Sequence, residues 1–491
     1  MPGPPGPGLV LAGVVGTVVA SGLLLRGAWD LWAQSLVLLG LLAASAGWLC
    51  VRIASGWLPR PDSQLLAWAA ALAVLSALSA WASLVPAYSR PAWAAAAAGL
   101  TLFPLISVLD SEGRSRVERF LRAAGWVLVL FAVYQRFHGV TRPAATFLNQ
   151  NAFAGVILLL LPVAVRVDDW ALAGGLLLCL WWSRSVGAWL GLSIALILHR
   201  RAVGPVAFGF GAITGFIGLV ASYAKLQSPE ILHRIEWWKA AWRMAAEAPW
   251  LGLGPGSYAY ALPSYVPVKP ELSSLFAHQH LLETAAERGW PYVVLWILGL
   301  CVLLKPAPAA RRFGSVAALI HGLVDYAISV PGVFWLFCAS TALAASESGR
   351  CVNVPLRWRP VLCACVLAAA TASGISIWRD WSADRLRAQA IVAVREGHLE
   401  EADGKLAASE TLLPHPETAR LRAEIILVRG GAPAKAMGHL TRAIALDPYR
   451  ASSRAMLNAI RISTAAFVPG LKGPALDVTR FSSASRAPHE H

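Results

Sequence analysis

The chain has 491 residues, of which 57% are apolar and only 14% charged, with a mean hydropathy of +0.57. A soluble domain carries roughly 25% charged residues, so a single water-soluble globule is excluded. The net charge of +15 comes without a basic-aromatic platform, which points to membrane orientation and away from nucleic acid.

Apolar blocks recur from residue 9 to residue 378, and a membrane helix needs about 20 such residues. Strand-like alternation is absent, so the spanning elements are helices. The pattern predicts an all-α polytopic membrane protein of about thirteen transmembrane helices, near residues 9–25, 31–51, 64–86, 91–109, 117–135, 147–165, 169–182, 186–199, 204–223, 290–304, 313–330, 332–346 and 360–378. The first has no basic segment before it and reads as a retained helix, not a cleaved signal. The two flanking Arg184 are short. Counting them as two puts Arg166 and Arg200 on one side. With a cytoplasmic N-terminus, fifteen basic residues then fall in short inner loops, against five outside: Arg26, Arg90, Arg136, Arg142 and Arg184. This is the positive-inside pattern. A long polar loop, residues 225–289, then faces outward, as does everything after residue 378.

Within the polar loop, Ile235, Trp238 and Trp242 share one face of a helix, as an interfacial helix anchored by tryptophans would require, with Arg234 near the headgroups. The following run holds Gly252, Gly254 and Gly256, interrupted by Pro255. It lacks the strand and helix of a phosphate loop and reads as a tight turn. Next come His278, Gln279 and His280, then Glu283, Glu287, Gly289 and Tyr292, just before an apolar span. Further on, His321 and Asp325 stand one helical turn apart and can pair. The seven cysteines, Cys50, Cys179, Cys301, Cys338, Cys351, Cys363 and Cys365, all lie in or beside apolar segments, so neither a disulfide framework nor a zinc site is indicated.

Residues 381–465 repeat. Gly397 aligns with Gly431 at a period of 34, and the same offset pairs Ala402 with Ala436, Gly404 with Gly438, Leu406 with Leu440, Leu412 with Leu446, and Pro414 with Pro448. That period is the signature of tetratricopeptide-like helix pairs. Residues 466–491, rich in Ser, Pro, Gly and Ala, read as a disordered tail.

Several of these motifs, in this order, resemble the O-antigen ligase/polymerase family of membrane proteins. His278, Gln279, Gly289 and Tyr292 match its hallmark: histidine, then Asn, Ser or Gln, nine residues, glycine, two residues, and Gly, Thr or Tyr. Thr146-Phe147-Leu148-Asn149-Gln150-Asn151 resembles the family's opening of a membrane helix, with Gln150 where proline is usual. Ser183-Arg184 resembles its "SR" helix start, and Ser185-Val186-Gly187 makes the spacing longer than usual. Arg234 with Trp238, the Pro249–Gly256 run and the pair His321/Asp325 also match. The resemblance covers residues 140–346, leaving residues 1–139 as N-terminal helices matched only in hydropathy and 347–380 as a last helix.

The resemblance implies a metal-independent glycosyltransferase of the inner membrane without cofactors. It would move a glycan from a polyprenyl (undecaprenyl) pyrophosphate donor to an acceptor hydroxyl on the periplasmic face. Histidine suits a general base near neutral pH, which assigns that role to His278. Arginine binds phosphate oxygens bidentately and stays charged, which assigns Arg184, Arg234 and Arg142 to the pyrophosphate. Asn151, Gln279, Glu283, Gly289, His321 and Asp325 are supporting residues. The acceptor stays open between lipid A-core, a growing glycan and a protein hydroxyl. The repeats offer a surface for other polysaccharide-assembly proteins. Rival readings of another class are a multi-helix transporter, which would show inverted repeats, and an assembly scaffold.

Overall fold

The computed structural model describes residues 8–199, 205–221, 223, 229–267, 272–345 and 351–465. The expected tail, 466–491, lies outside them. The described residues form two compact units that divide between Trp378 and Arg379.

The first unit is built from α1 (Gly8–Leu24), α2 (Leu31–Ala54), α3 (Ser63–Ala82), α4 (Pro86–Ser107), α5 (Ser111–Phe137), α6 (Gln150–Arg166), α7 (Trp170–Ser183), α8 (Val186–Leu198), α9 (Pro205–Ala221), α10 (Pro229–Glu247), α11 (His280–Arg288), α12 (Trp290–Leu304), α13 (Ala309–Gly322) and α14 (Pro331–Ala344), with the start of α15 (Arg359–Arg395). A helix stands at each predicted apolar segment. By length and composition, α2, α3 and the stretch Leu356–Arg395 can cross a membrane, while α1, α6, α7, α8, α12 and α14 are apolar but shorter.

Polar side chains set the helix starts. Asp62 accepts from the amides of Gln64 and Leu65, Asp110 from Gly113, Asn149 from Asn151, and Asp169 from Leu172. Each satisfies backbone donors that a first turn leaves unpaired. Gln150 is the first residue of α6, a position where proline is also favoured, so the departure from the family's usual residue leaves this helix start intact. The core is largely aliphatic, with tryptophans at the helix crossings. Trp68 of α3 stacks on Trp296 of α12 at 5.6 Å and donates to the Leu295 carbonyl at 2.8 Å.

Two corrections concern boundaries. The span expected at 313–330 is helical only to Gly322 within α13, after which the chain makes a loop and the 3-10 turn Ala327–Ser329. Asp325 is therefore not on the helix of His321, although the two still meet. The last span does not stop near 378 but continues as helix to Arg395. An element not foreseen is a two-stranded antiparallel pair, β1 (Trp57–Pro59) with β2 (Cys351–Asn353), in register Leu58 to Val352.

That strand pair joins the loop after α2 to the loop before α15. At the same end of the unit, Arg122 pairs with Asp169 at 2.7 Å, Arg166 with Glu118, and Arg312 Nε with His199 Nε2 at 3.0 Å. Arg114 donates to the carbonyls of Leu343 and Ala345. The opposite set of loops is tied separately. Thr146 Oγ1 donates to the Leu23 carbonyl at 2.7 Å, Ser83 Oγ to Leu253 at 3.0 Å and Ser79 Oγ to Glu287 at 2.8 Å. The polar loop is anchored at this second end.

The second unit contains α16 (Leu399–Leu412), α17 (Pro416–Val428), α18 (Pro433–Leu446) and α19 (Ala451–Ala465). The bounds of α18 repeat those of α16 after 34 residues. Ala402 and Leu406 are fully buried, as are their counterparts Ala436 and Leu440. The turn glycines differ from the alignment by one position: Gly397 has φ +82° and its counterpart is Gly430, φ +68°, not Gly431.

Candidate functional site

The site begins with the backbone of α11. Gln279 is its N-cap and accepts from the Leu282 amide, while Glu283 reaches back to accept from the Ala277 amide at 2.7 Å. His278 stands between these two anchors with φ +55°. A left-handed conformation costs a non-glycine residue roughly 1–2 kcal/mol, so the anchors on both sides hold His278 in a posture the free chain avoids.

Gly289 ends α11 with φ +80°. A Cβ there would lie 2.4 Å from the Trp250 carbonyl oxygen, and one at Gly252 would lie 2.2 Å from the Glu287 carbonyl carbon. The glycine-rich run is a turn clasping the end of α11, with Leu253 N donating to Ala286 O and Gly254 N to Glu287 O, both at 2.9 Å. The spacing from His278 to Gly289 is thus the length of one short helix held at both ends.

Four predicted residues converge. His278 Nδ1 lies 3.5 Å from Asp325 Oδ1, Arg234 Nη2 lies 3.3 Å from Asp325 Oδ2, and His321 Nε2 lies 3.9 Å from the same oxygen. Arg234 also donates to the Val324 carbonyl, and the Tyr326 amide donates to Asp325 Oδ1 at 2.9 Å. Burial alone would raise the pKa of Asp325. His278, His321 and Arg234 beside it outweigh this and hold the carboxyl well below the usual range. The imidazole of His278 stacks on Trp237 at 5.0 Å and meets Tyr326 edge-on at 4.7 Å. Its side chain keeps 16% exposure, against none for His321.

The other motifs pack around this cluster. A Cβ at Gly155 of α6 would meet His321 Nδ1 at 3.5 Å, and one at Gly187 of α8 would meet His321 Cδ2 at 2.9 Å. Both glycine positions let their helices approach His321. Asn151 is buried, with its Oδ1 lacking a partner among the described residues. Arg142 donates twice to the Ser183 carbonyl, at 3.3 and 3.1 Å, where α7 ends. Arg184 follows with φ +50°, its side chain exposed and without a hydrogen-bond or ion-pair partner among the described residues. Arg234 is therefore drawn into the Asp325 cluster, whereas Arg142 and Arg184 stand together at the end of α7. On α10, Ile235 and Trp242 are exposed as expected, but Trp238, expected on the same face, is half-buried and donates its Nε1 to the His278 carbonyl at 3.4 Å, and Trp237 is buried.

Sequence reasoning missed Trp237 and Tyr326, which wall the imidazole; each sits next to a residue singled out for other reasons. It also missed how deeply the acids of α11 lie. Burial pushes the carboxyls of Glu283 and Glu287 upward, and Glu283 is raised further by the Glu287 charge. Among the described residues, no group of three or more His, Cys, Asp or Glu is arranged to hold a metal ion.

A protein-family model described as O-antigen ligase matches residues 170–297. The matched segment contains Arg184, Arg234, His278 and Gly289; Asp325 and His321 lie beyond it. No curated protein matches the chain. Over residues 170–297, then, the chain is similar to the O-antigen ligase family, the family its motifs resemble.

Proposed function

We propose that the protein is an inner-membrane glycosyltransferase of the ligase or polymerase type. It transfers a glycan from a polyprenyl pyrophosphate to an acceptor hydroxyl on the periplasmic face. The observation that carries this reading is the His278–Asp325 pair, whose histidine lies within the family-matched segment. Asp325 takes the Nδ1 side of the imidazole, which leaves Nε2 to accept the proton of the attacking hydroxyl. That oxygen forms the bond to the anomeric carbon as the bond to the pyrophosphate oxygen breaks. Polyprenyl pyrophosphate leaves with its charge neutralised by arginine. Arg184 is exposed beside Arg142 and suits that task. Arg234 holds Asp325 and the loop of Val324, and its part in phosphate binding would require it to leave or share those contacts.

The two tied sets of loops support the proposed topology. Loops assigned inward contact one another, and loops assigned outward share the end that bears His278. The reading also makes transfer metal-independent, so full activity is expected in chelator; complete loss, restored by added divalent ion, would refute it.

The deciding experiment compares two histidines at equal protein levels. His278→Ala is expected to lose transfer by at least roughly 10²-fold while remaining folded and able to bind donor. His280→Ala is expected to lose little, because the side chains that meet Asp325 are Arg234, His278 and His321, while the His280 Cβ lies beside Gly322. Near-full activity in His278→Ala would sink the base assignment.

A further inference from the structure

Helix α10 brings three side chains to the His278–Asp325 pair. Arg234, Trp237 and Trp238 stand at i, i+3 and i+4, so they share one face of the helix. Arg234 reaches Asp325, and Trp238 Nε1 donates to the His278 carbonyl at 3.4 Å. Trp237 meets the imidazole itself: the ring centroids are 5.0 Å apart and the planes 22° from parallel. The indole is 8% exposed and tethered, its Nε1 donating to the Leu272 carbonyl at 2.9 Å. The Trp237 carbonyl accepts from the Tyr258 hydroxyl at 3.2 Å, which holds the same turn of backbone. Neither the proton transfer nor phosphate binding, as described above, calls on this ring.

A general base begins its step neutral and ends it carrying a proton. Here the O–H bond of the acceptor breaks, its proton passes to Nε2, and His278 becomes an imidazolium. The face of an indole attracts a cation within about 6 Å of its centre, more strongly than a phenyl ring does and more strongly where water is excluded. A neutral imidazole gains little of this attraction. The gain therefore arises as the proton arrives, and an interaction that strengthens toward the transition state is one that lowers the barrier. The stack also fixes the plane of the imidazole, and with Asp325 at Nδ1 that plane sets the direction of Nε2. We propose that Trp237 is a positioning residue for the transfer, whose indole face holds the imidazole plane of His278 and stabilises the imidazolium formed when His278 takes the acceptor's proton. The proposal rests on the glycosyl-transfer reading given above.

Among the described residues, the charged and titratable groups that meet this imidazole or its partners are Asp325 and Tyr326 from the loop after α13, His321 from α13, Arg234 and His233 from α10, and Glu283 from α11 through the Ala277 amide. His233 meets the indole and not His278, at 6.2 Å between centroids, and serves as the control. The test follows kcat against pH for the full-length protein in detergent. An undecaprenyl pyrophosphate-linked oligosaccharide is the donor, and lipid A-core or a second donor glycan the acceptor, whichever the wild type uses. Without the indole face the imidazolium is less stable, so a lower pH is needed to protonate the base. Trp237→Leu is expected to move the acid limb of the profile down by roughly 0.5 to 1 pH unit. Its plateau kcat is expected to fall about 5- to 30-fold, with the donor KM within about threefold. Trp237→Phe keeps a weaker face and is expected to show less than half of that shift. His233→Gln is expected to leave the limb in place.

If Trp237→Leu fails to fold, Trp237→Phe decides: a downward shift of its limb supports the proposal and an unmoved limb overturns it. With both variants folded, the proposal is overturned if kcat falls while the limb stays where it is, since that is what a purely structural tryptophan would give. It is equally overturned if the limb moves upward, if the loss appears in KM, or if His233→Gln shifts the limb as far as Trp237→Leu does. In each of these cases an inactive His278→Ala leaves the base assignment standing. Activity in His278→Ala would remove that assignment, and the role of Trp237 with it, which separates the two failures.

Discussion

Asp325 is approached by Arg234, His278 and His321 within a pocket that leaves the residue 2% exposed. A carboxylate accepts from all sides. An amide of the same shape offers donors to at least one of these neighbours. Asp325→Asn is therefore expected to lower kcat by roughly 10²-fold or more, through the wrong tautomer and orientation of His278, with a smaller change in donor affinity. A comparison of kcat with donor binding checks this, and an unchanged kcat would show that Asp325 does not orient the base. Arg234→Lys should not substitute, because an ammonium cannot span the Val324 carbonyl and the Asp325 carboxylate as a planar fork does. At this scale His278 was legible, since its neighbours in sequence fix its register. Its pairing with Asp325 was not, because that contact depends on α13 ending at Gly322 and releasing Asp325 into a loop. Helical periodicity had paired Asp325 with His321 alone.

The short helix α11 concentrates the constraints of the site. Gly289 ends it at φ +80°, ψ 165°, a region that other residues avoid at a cost of roughly 1–3 kcal/mol. Gly289→Ala adds a collision with the Trp250 carbonyl to that strain. It is expected to lower the melting temperature and release the turn that clasps α11; wild-type melting would contradict the close approach. At the other end, His280 Nδ1 is buried without a hydrogen-bond partner among the described residues. Burial, and secondarily the Arg288 charge, push the His280 pKa down to about 4. The folded value lies below the unfolded one, near 6.5, so the fold favours neutral imidazole. The stability it contributes is complete above about pH 6.5 and is lost as the pH falls toward 4. The melting temperature of the wild-type protein should fall across that window, and that of His280→Gln should fall less. Equal falls would locate the acid sensitivity elsewhere. The existence of a turn at 249–256 could be read from its glycines. Its place against α11 could not, since it depends on backbone contacts between distant segments.

For the molecule as a whole, the pattern of apolar segments revealed α1 to α9 and α12 to α15, because a long apolar run has few other uses. The strand pair escaped, since Trp57–Pro59 and Cys351–Asn353 are too short to carry a period. It bears on topology all the same. Pairing Leu58 with Val352 places the loop after α2 and the loop before α15 on one side of any membrane. Arg60 and Arg357 lie in these loops, with Arg52 in the last turn of α2 and Arg359 at the start of α15, and the positive-inside rule expects such a cluster on the cytoplasmic side. From there a single crossing by the apolar first half of α15 would deliver residues 379–465 to the periplasm. A reporter active only in the periplasm, fused after Ile462, is expected to be active. The same reporter inserted after Arg60 is expected to be silent. Activity of a cytoplasm-only reporter at Ile462 would mean that α15 does not cross, or that the crossings before it are miscounted. A silent periplasmic reporter at both positions, with the fusions present at normal levels, would make the same point.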